Sequence, residues 1–167
     1  MASSFSVITF SILVALLQSH LLIVSPCMSC ISPWTSFGNH CYLLVTDAKT
    51  FDEAEQYCQS LSRFGRPSHL ASIMNQEEHD FLVLLIKSVY GKSGMKTWFG
   101  YRKDWSGSFA WLDGSPSGGY TNWYPAQPSG DGPCTEILET ATSGTNLWND
   151  LSCNSLKRSA CKIAARF

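Results

Sequence analysis

The chain is short of charge. It carries 12 Lys and Arg against 13 Asp and Glu, charged residues make up 15% of its 167 positions, and the formal net charge is −1. Such a balance gives no electrostatic basis for a nucleic-acid partner or an anionic membrane surface. The four histidines, His20, His40, His69 and His79, are scattered, and no His-x-x-x-His pair occurs. The one Cys-x-x-Cys spacing, Cys27-Met28-Ser29-Cys30, falls in the N-terminal leader zone, so no zinc site is expected. No Gly-x-Ser-x-Gly elbow marks a hydrolase nucleophile. No Asn-x-Ser/Thr sequon calls for N-glycosylation. Neither an internal repeat nor a long linker divides the chain. Nothing singles out an enzyme.

What is present is an aromatic-rich, cysteine-rich chain. Aromatics reach 13%, with six Trp, and there are seven Cys. That suits a folded core rather than disorder, and the length suits one domain. Residues Phe5 to Val24 are nearly all apolar, interrupted by Ser6, Thr9, Ser11 and Gln18-Ser19-His20, and no Lys or Arg precedes Lys49. An apolar N-terminal run followed by small residues reads as a signal peptide over residues 1–29, leaving 30–167 as a secreted, extracellular domain. The polar interruption and the missing basic flanks argue against a membrane span. Cleavage there leaves six cysteines, an even number that suits a disulfide framework. A cut upstream would keep Cys27 as an odd thiol able to link two chains.

Periodicity organises the domain. Cys41 to Val45 reads as a strand. Thr50-Phe51-Asp52-Glu53 has the form of a capping box, followed by Phe51, Ala54, Tyr57, Cys58 and Leu61 at helical spacing. Asn75-Gln76-Glu77-Glu78 opens a second helix whose expected buried face is Phe81, Leu82, Leu85, Ile86 and Val89, with Gly91 as its stop. Asp52, Glu53, Glu55, Glu77 and Glu78 are expected as solvated helix-face and capping charges. Thr97 to Tyr101 and Phe109 to Leu112 read as strands around a Gly/Ser turn. Asp113 to Pro133 is a long loop region, rich in Gly, Pro, Ser and Asn, of a length that usually serves function. Thr135 to Leu138, Leu147-Trp148 and Ala160 to Ile163 are closing strands. Two helices and several short strands predict an α+β domain.

The chemistry concentrates late in the chain. Gln127-Pro128-Ser129, Cys134-Thr135-Glu136 and Trp148-Asn149-Asp150 carry amide, hydroxyl and carboxylate oxygens. If Cys134 bonds Cys153, Glu136 and Asn149-Asp150 come together. Hard oxygens gathered from separate loops are what a calcium ion takes, in sets of about six to eight.

These segments together resemble the C-type lectin domain family over about residues 30 to 167. Cys30 to Trp34 with Phe37 to Tyr42 is similar to the family's long-form N-terminal hairpin, and Phe51 to Cys58 to its first helix. His69 to Ile73 resembles the strand entering its second helix, Trp98-Phe99-Gly100-Tyr101 a variant of its Trp-Ile-Gly-Leu segment, and Trp148-Asn149-Asp150 its calcium-loop signature. The resemblance implies a disulfide-stapled fold of two helices, small antiparallel sheets and a long calcium-binding loop region. It implies the bridges Cys30–Cys41, Cys58–Cys161 and Cys134–Cys153. It also implies that Gln127, Ser129, Glu136, Asn149 and Asp150 hold Ca2+, and that Gln127, Ser129, Glu136 and Asn149 meet carbohydrate hydroxyls, with a cis bond before Pro128. Gln127 follows the family's galactose-type triplet, whereas Ser129 stands where that triplet has a carboxylate. The expected function is a non-enzymatic, calcium-dependent lectin with galactose preference, acting in innate recognition or agglutination and clustering as a homo-oligomer. The alternative is a calcium-independent protein-binding or adhesion module on the same fold. Tyr120 and Tyr124 are candidate rings for a sugar face. Trp34, Trp98, Trp105, Trp111, Trp123 and Trp148 are expected to pack.

Overall fold

A computed structural model of the protein describes residues 30–91, 96–139 and 146–165. The expected signal peptide and Cys27 lie outside the described residues. Among the described residues, no helix is long and apolar enough to cross a membrane.

The strands are β1 (Thr35–Phe37), β2 (His40–Lys49), β3 (Ser68–Leu70), β4 (Lys96–Lys103), β5 (Phe109–Trp111), β6 (Cys134–Glu139), β7 (Asn146–Leu151) and β8 (Lys157–Ala164). The helices are α1 (Phe51–Ser60) and α2 (Gln76–Tyr90). The α+β class is as expected. The strands form one hydrogen-bonded sheet, however, in the order β1-β2-β8-β4-β6-β7, with β3 on β8 and β5 on β4. The expected small antiparallel sheets are joined through a parallel pairing of β4 with β8, at Thr97 opposite Arg158 and Trp98 opposite Ser159. A run of alternating residues does not reveal which neighbour a strand pairs with, so that junction is invisible to periodicity.

Helix α1 starts as its capping box requires. Thr50 accepts from the Glu53 amide, and the Glu53 carboxylate accepts from the Thr50 amide at 3.0 Å. Phe51, Ala54 and Cys58 are buried, while Tyr57 is partly exposed. Helix α2 starts at Asn75, whose side chain accepts from the Glu78 amide at 2.8 Å. Of its expected buried face, Leu82 and Ile86 are fully buried and Phe81 and Leu85 pack partly buried against the core, whereas Val89 is 51% exposed; Glu78, His79 and Val83 point inward as well.

Glu78 corrects the reading of the helix-face acids. It lies buried against Lys162, whose ammonium is 2.5 Å from Oε1, and it also accepts from the Tyr42 hydroxyl and, at 2.7 Å, the Met74 amide. Lys162 in turn donates to the Ser72 carbonyl and hydroxyl. A buried ion pair survives only when its remaining polar atoms are also satisfied, and here each partner has two further hydrogen-bonding contacts. Glu55 is likewise engaged, accepting from the Leu70 amide at 2.8 Å and contacting His69 Nδ1 at 2.6 Å. It ties α1 to β3.

Three bridges staple the fold: Cys30–Cys41, Cys58–Cys161 and Cys134–Cys153. Cys58–Cys161 closes a separation of 103 residues and anchors α1 to β8. On the chain-entropy account such a loop is stabilised by roughly 4–5 kcal/mol. The core around the later strands is aromatic. Trp148 has ring neighbours Phe99 at 4.9 Å, Tyr101 at 5.6 Å, Trp111 at 5.9 Å, Tyr120 at 5.6 Å and Trp123 at 5.8 Å. Wide rings set edge to face fill volume and resist sliding, so the strand that carries Asn149 and Asp150 is held from beneath. Trp105 is the exception among the tryptophans. It sits in the turn between β4 and β5 and is 99% exposed, which corrects its expected packing role.

Candidate functional site

Strands β6 and β7 carry three of the five expected donors. Their antiparallel register sets Glu136 opposite Asn149 and Thr135 opposite Asp150. Directly opposed residues share a face of the sheet, and Asn149 Nδ2 donates to Glu136 Oε1 at 3.2 Å. The Cys134–Cys153 bridge, with Cα atoms 5.3 Å apart, closes the same end of the pair.

The long loop is stitched to β7 just before its triplet. Trp148 donates its amide to Asn122 at 2.8 Å, and Tyr124 donates back to the Trp148 carbonyl at 2.9 Å. The Gln127 amide then closes a turn on the Tyr124 carbonyl at 2.9 Å, and the Gln127–Pro128 bond is cis. On its return the loop passes so close to β7 that a Cβ on Gly132 would lie 2.2 Å from the Leu151 carbonyl carbon and oxygen. Only glycine permits that approach.

Asp150 receives the loop. It is fully buried, and its Oδ1 accepts from the Ser129 amide at 2.8 Å and the Ser129 hydroxyl at 3.2 Å, while Oδ2 accepts from the Gly130 amide at 2.8 Å. Gln127 Oε1 accepts from the same Ser129 amide at 2.7 Å. The five residues therefore fall into two hydrogen-bonded groups. Gln127, Ser129 and Asp150 form one; Glu136 and Asn149 form the other. The Asn149–Asp150 peptide joins them.

Glu136 is the unusual member. It is 1% exposed, and its Oε2 is buried without a hydrogen-bond partner. The ammonium of Lys157 lies 3.0 Å from that oxygen, a charge contact that lacks hydrogen-bond geometry, and the Lys157 side chain is itself only 12% exposed. Leaving a buried carboxylate oxygen without a donor is costly unless a cation compensates it. Two carboxylates and one ammonium leave this cluster with an excess negative charge. The donor set is all oxygen, which matches a hard cation such as calcium, and a buried carboxylate oxygen held by a cation without a hydrogen bond is the kind of atom such an ion takes. The residues present fit the ion. Only two of the donors are carboxylates, however, and among the described residues no cluster of three or more His, Cys, Asp or Glu forms a metal site.

Lys157 was not among the sequence-derived candidates. The signal for it is the pair of cysteines: Glu136 stands two residues past Cys134 and Lys157 four past Cys153. A bridge between those cysteines brings both to one end of the sheet.

Behind the site lies a histidine. His79 Nε2 is 2.8 Å from the Asn146 carbonyl and 3.0 Å from Asn122 Nδ2, and Trp148 Nε1 donates to Nδ1 at 3.3 Å. Burial holds its pKa below the usual imidazole value, partly opposed by the Asn146 hydrogen bond and by Asp80. It links α2 to both the loop and β7. Tyr120 donates to Gln76 Oε1 at 3.0 Å, and its pKa is pushed up to about 12, by burial first and then by Asp80. It packs on Trp148 rather than presenting a free face. Tyr124, 37% exposed, is the ring left at the loop surface.

Residues 47–163 match the family described as the Lectin C-type domain. An alpha-N-acetylgalactosamine-specific lectin of Patiria pectinifera is 33% identical over 134 residues, 78% of either chain. Among solved structures, the C-type lectin CEL-I of Cucumaria echinata is 26% identical with a TM-score of 0.73, covering 83% of this chain and 99% of that one. A calcium-independent type II antifreeze protein is 30% identical with a TM-score of 0.65, covering 83% and 96%.

Proposed function

The chain belongs to the C-type lectin domain family, and from that premise we propose that it is a secreted lectin that binds glycans through calcium at the β6–β7 end of its sheet. The family is one of lectins rather than enzymes, and the chain is not an enzyme. The observation that carries the calcium reading is the buried Glu136 Oε2, which the Lys157 ammonium, and no hydrogen bond, compensates, on the strand pair that also carries Asn149 and the fully buried Asp150.

In this reading Gln127, Ser129, Glu136, Asn149 and Asp150 hold the ion. Calcium, when bound, supplies two coordination positions for neighbouring sugar hydroxyls. The side chains do the rest. Glu136 accepts a hydrogen bond from a sugar hydroxyl, and the amides of Asn149 and Gln127 donate to hydroxyl oxygens. Asp150, already fixed by the Ser129 and Gly130 amides, keeps the loop against the strands. The galactose-type position of Gln127 and the N-acetylgalactosamine specificity named for the Patiria relative support a preference for galactose-like sugars. Tyr124 is the ring for the sugar's apolar face. The domain runs over residues 30–167, with residues 1–29 removed as a signal peptide, and three bridges suit an oxidising compartment. A single shallow site binds weakly, so recognition and agglutination rest on homo-oligomers and avidity.

Retention on galactose- and mannose-agarose in millimolar calcium, with elution by chelator, tests this. The galactose column should hold the protein, and Glu136→Ala should flow through. Retention that survives chelator or the Glu136→Ala change would end the reading. The second reading, a calcium-independent protein-binding module, draws on the neutral Ser129, on Lys157 beside Glu136, and on the likeness to a calcium-independent antifreeze protein. It expects no retention on either column.

A further inference from the structure

We propose that Lys157 is an internal competitor for the calcium ion, a resident cation whose withdrawal from Glu136 sets how much calcium the site needs. The proposal rests on the calcium reading above and concerns a residue that reading does not use. Lys157 opens β8, where it pairs in register with Lys49 of β2. Its ammonium sits 3.0 Å from Glu136 Oε2, and both side chains are withdrawn from water. No hydrogen bond of Lys157 is needed to explain its place, because the contact lacks the geometry for one. Charge holds it there. The other carboxylate of the site, Asp150, is already satisfied by amides and a hydroxyl of the loop. Among the described residues, Glu136 has only the Asn149 amide besides this ammonium.

A divalent ion and an ammonium held against one carboxylate oxygen repel each other strongly in a buried site. The ion therefore competes with Lys157 for Glu136, and the cost of weakening that pair is subtracted from calcium affinity. Ser129 adds to the effect. Where a carboxylate would pull the ion in, this chain offers a hydroxyl, so the competitor meets a weaker rival. The site is then one that fills only where calcium is abundant, as it is outside cells. Coupling between neighbouring groups of this kind is typically several-fold to a hundredfold in an equilibrium constant.

Calorimetric calcium titration of the secreted protein and of Lys157→Met and Lys157→Arg, without sugar, reads the effect directly. Lys157→Met should lower the calcium dissociation constant about tenfold, and Lys157→Arg, which keeps the charge, should leave it within about threefold of the parent. Thermal melts in chelator check that each variant folds; Lys157→Gln replaces the methionine variant if that one does not. A parent that binds calcium with a neutral variant that binds equally or more weakly overturns the competitor and leaves the calcium site standing. Absence of calcium binding by the parent and by every neutral variant overturns both.

Discussion

The buried pair of Glu78 and Lys162 gives a test of how the fold holds its second helix to the sheet. Both side chains are withdrawn from water, at 7% and 6% exposure, and their charged atoms are 2.5 Å apart. Lys162→Met removes the ammonium and leaves Glu78 with only the Tyr42 hydroxyl and the Met74 amide. Glu78→Gln leaves the ammonium with the two Ser72 oxygens and an uncharged amide. Removing one partner of such a pair costs about 3–5 kcal/mol, because a buried charge is left without its counter-charge. For a domain of this size, roughly 2–4 °C is lost per kcal/mol. Each single variant should therefore melt at least about 6 °C lower. The double variant Glu78→Gln/Lys162→Met has no unpaired charge and should cost about as much as one single change, giving a coupling of about 3–5 kcal/mol, at or above the upper end for contacting residues. Urea denaturation of the four proteins measures the cycle. Additive losses, or single losses below about 1 kcal/mol, would refute the reasoning.

Gly132→Ala places a Cβ against the Leu151 backbone, so it should destabilise the chain by about 1–3 kcal/mol and weaken calcium binding, whereas Gly119→Ala, which meets no atom and stands outside the left-handed region, should leave both nearly unchanged; urea and calcium titrations distinguish them. The pKa of His79 and that of His40 are held below the ordinary value of 6.5, His79 mainly by burial and His40 by burial and then Lys162. The unfolded chain thus takes up protons that the folded one refuses: stability is fully present above about pH 6.5 and falls as the pH drops, by at most about 1.4 kcal/mol per unit for each group. Denaturant midpoints at pH 7.5 and 5.5 check the sign, and His79→Gln should flatten the slope. Trp105→Ala, despite the size of the residue removed, should change stability by less than about 0.5 kcal/mol, since the ring is almost wholly exposed; a thermal shift above about 2 °C would show a contact that the fold does not contain.

Local signals were legible where a short stretch decides its own structure. The Thr50–Glu53 capping box, the Asn75 cap and the Gly91 stop each depend on neighbours within four residues, and each stands where the chain places it. The lectin fold was readable because several spaced motifs occur in one order. What failed depended on distance. Glu78 looked like a solvated first-turn acid, and its partner Lys162 is 84 residues away. Val83 rather than Val89 faces the core because the sheet, not the helix, chooses the angle at which α2 rests. Residue type alone points Trp105 to packing, but its position in the turn between β4 and β5 leaves it almost wholly exposed. At the candidate site, the five oxygen-bearing residues were identifiable from the triplet, the cysteine spacing and the Trp148-Asn149-Asp150 run. Their division into two hydrogen-bonded groups, and the ammonium of Lys157 against Glu136, required the register of β6 on β7.

The central claim is that Glu136, Asn149 and Asp150, closed by the Gln127–Ser129 loop, cradle calcium. A crystal structure of the protein grown in millimolar calcium with galactose tests it most directly. The account predicts one ion about 2.3–2.6 Å from Glu136 Oε2 and from an Asp150 oxygen, two sugar hydroxyls on that ion, and Lys157 turned away. Density for water alone, with Lys157 still against Glu136, would contradict it.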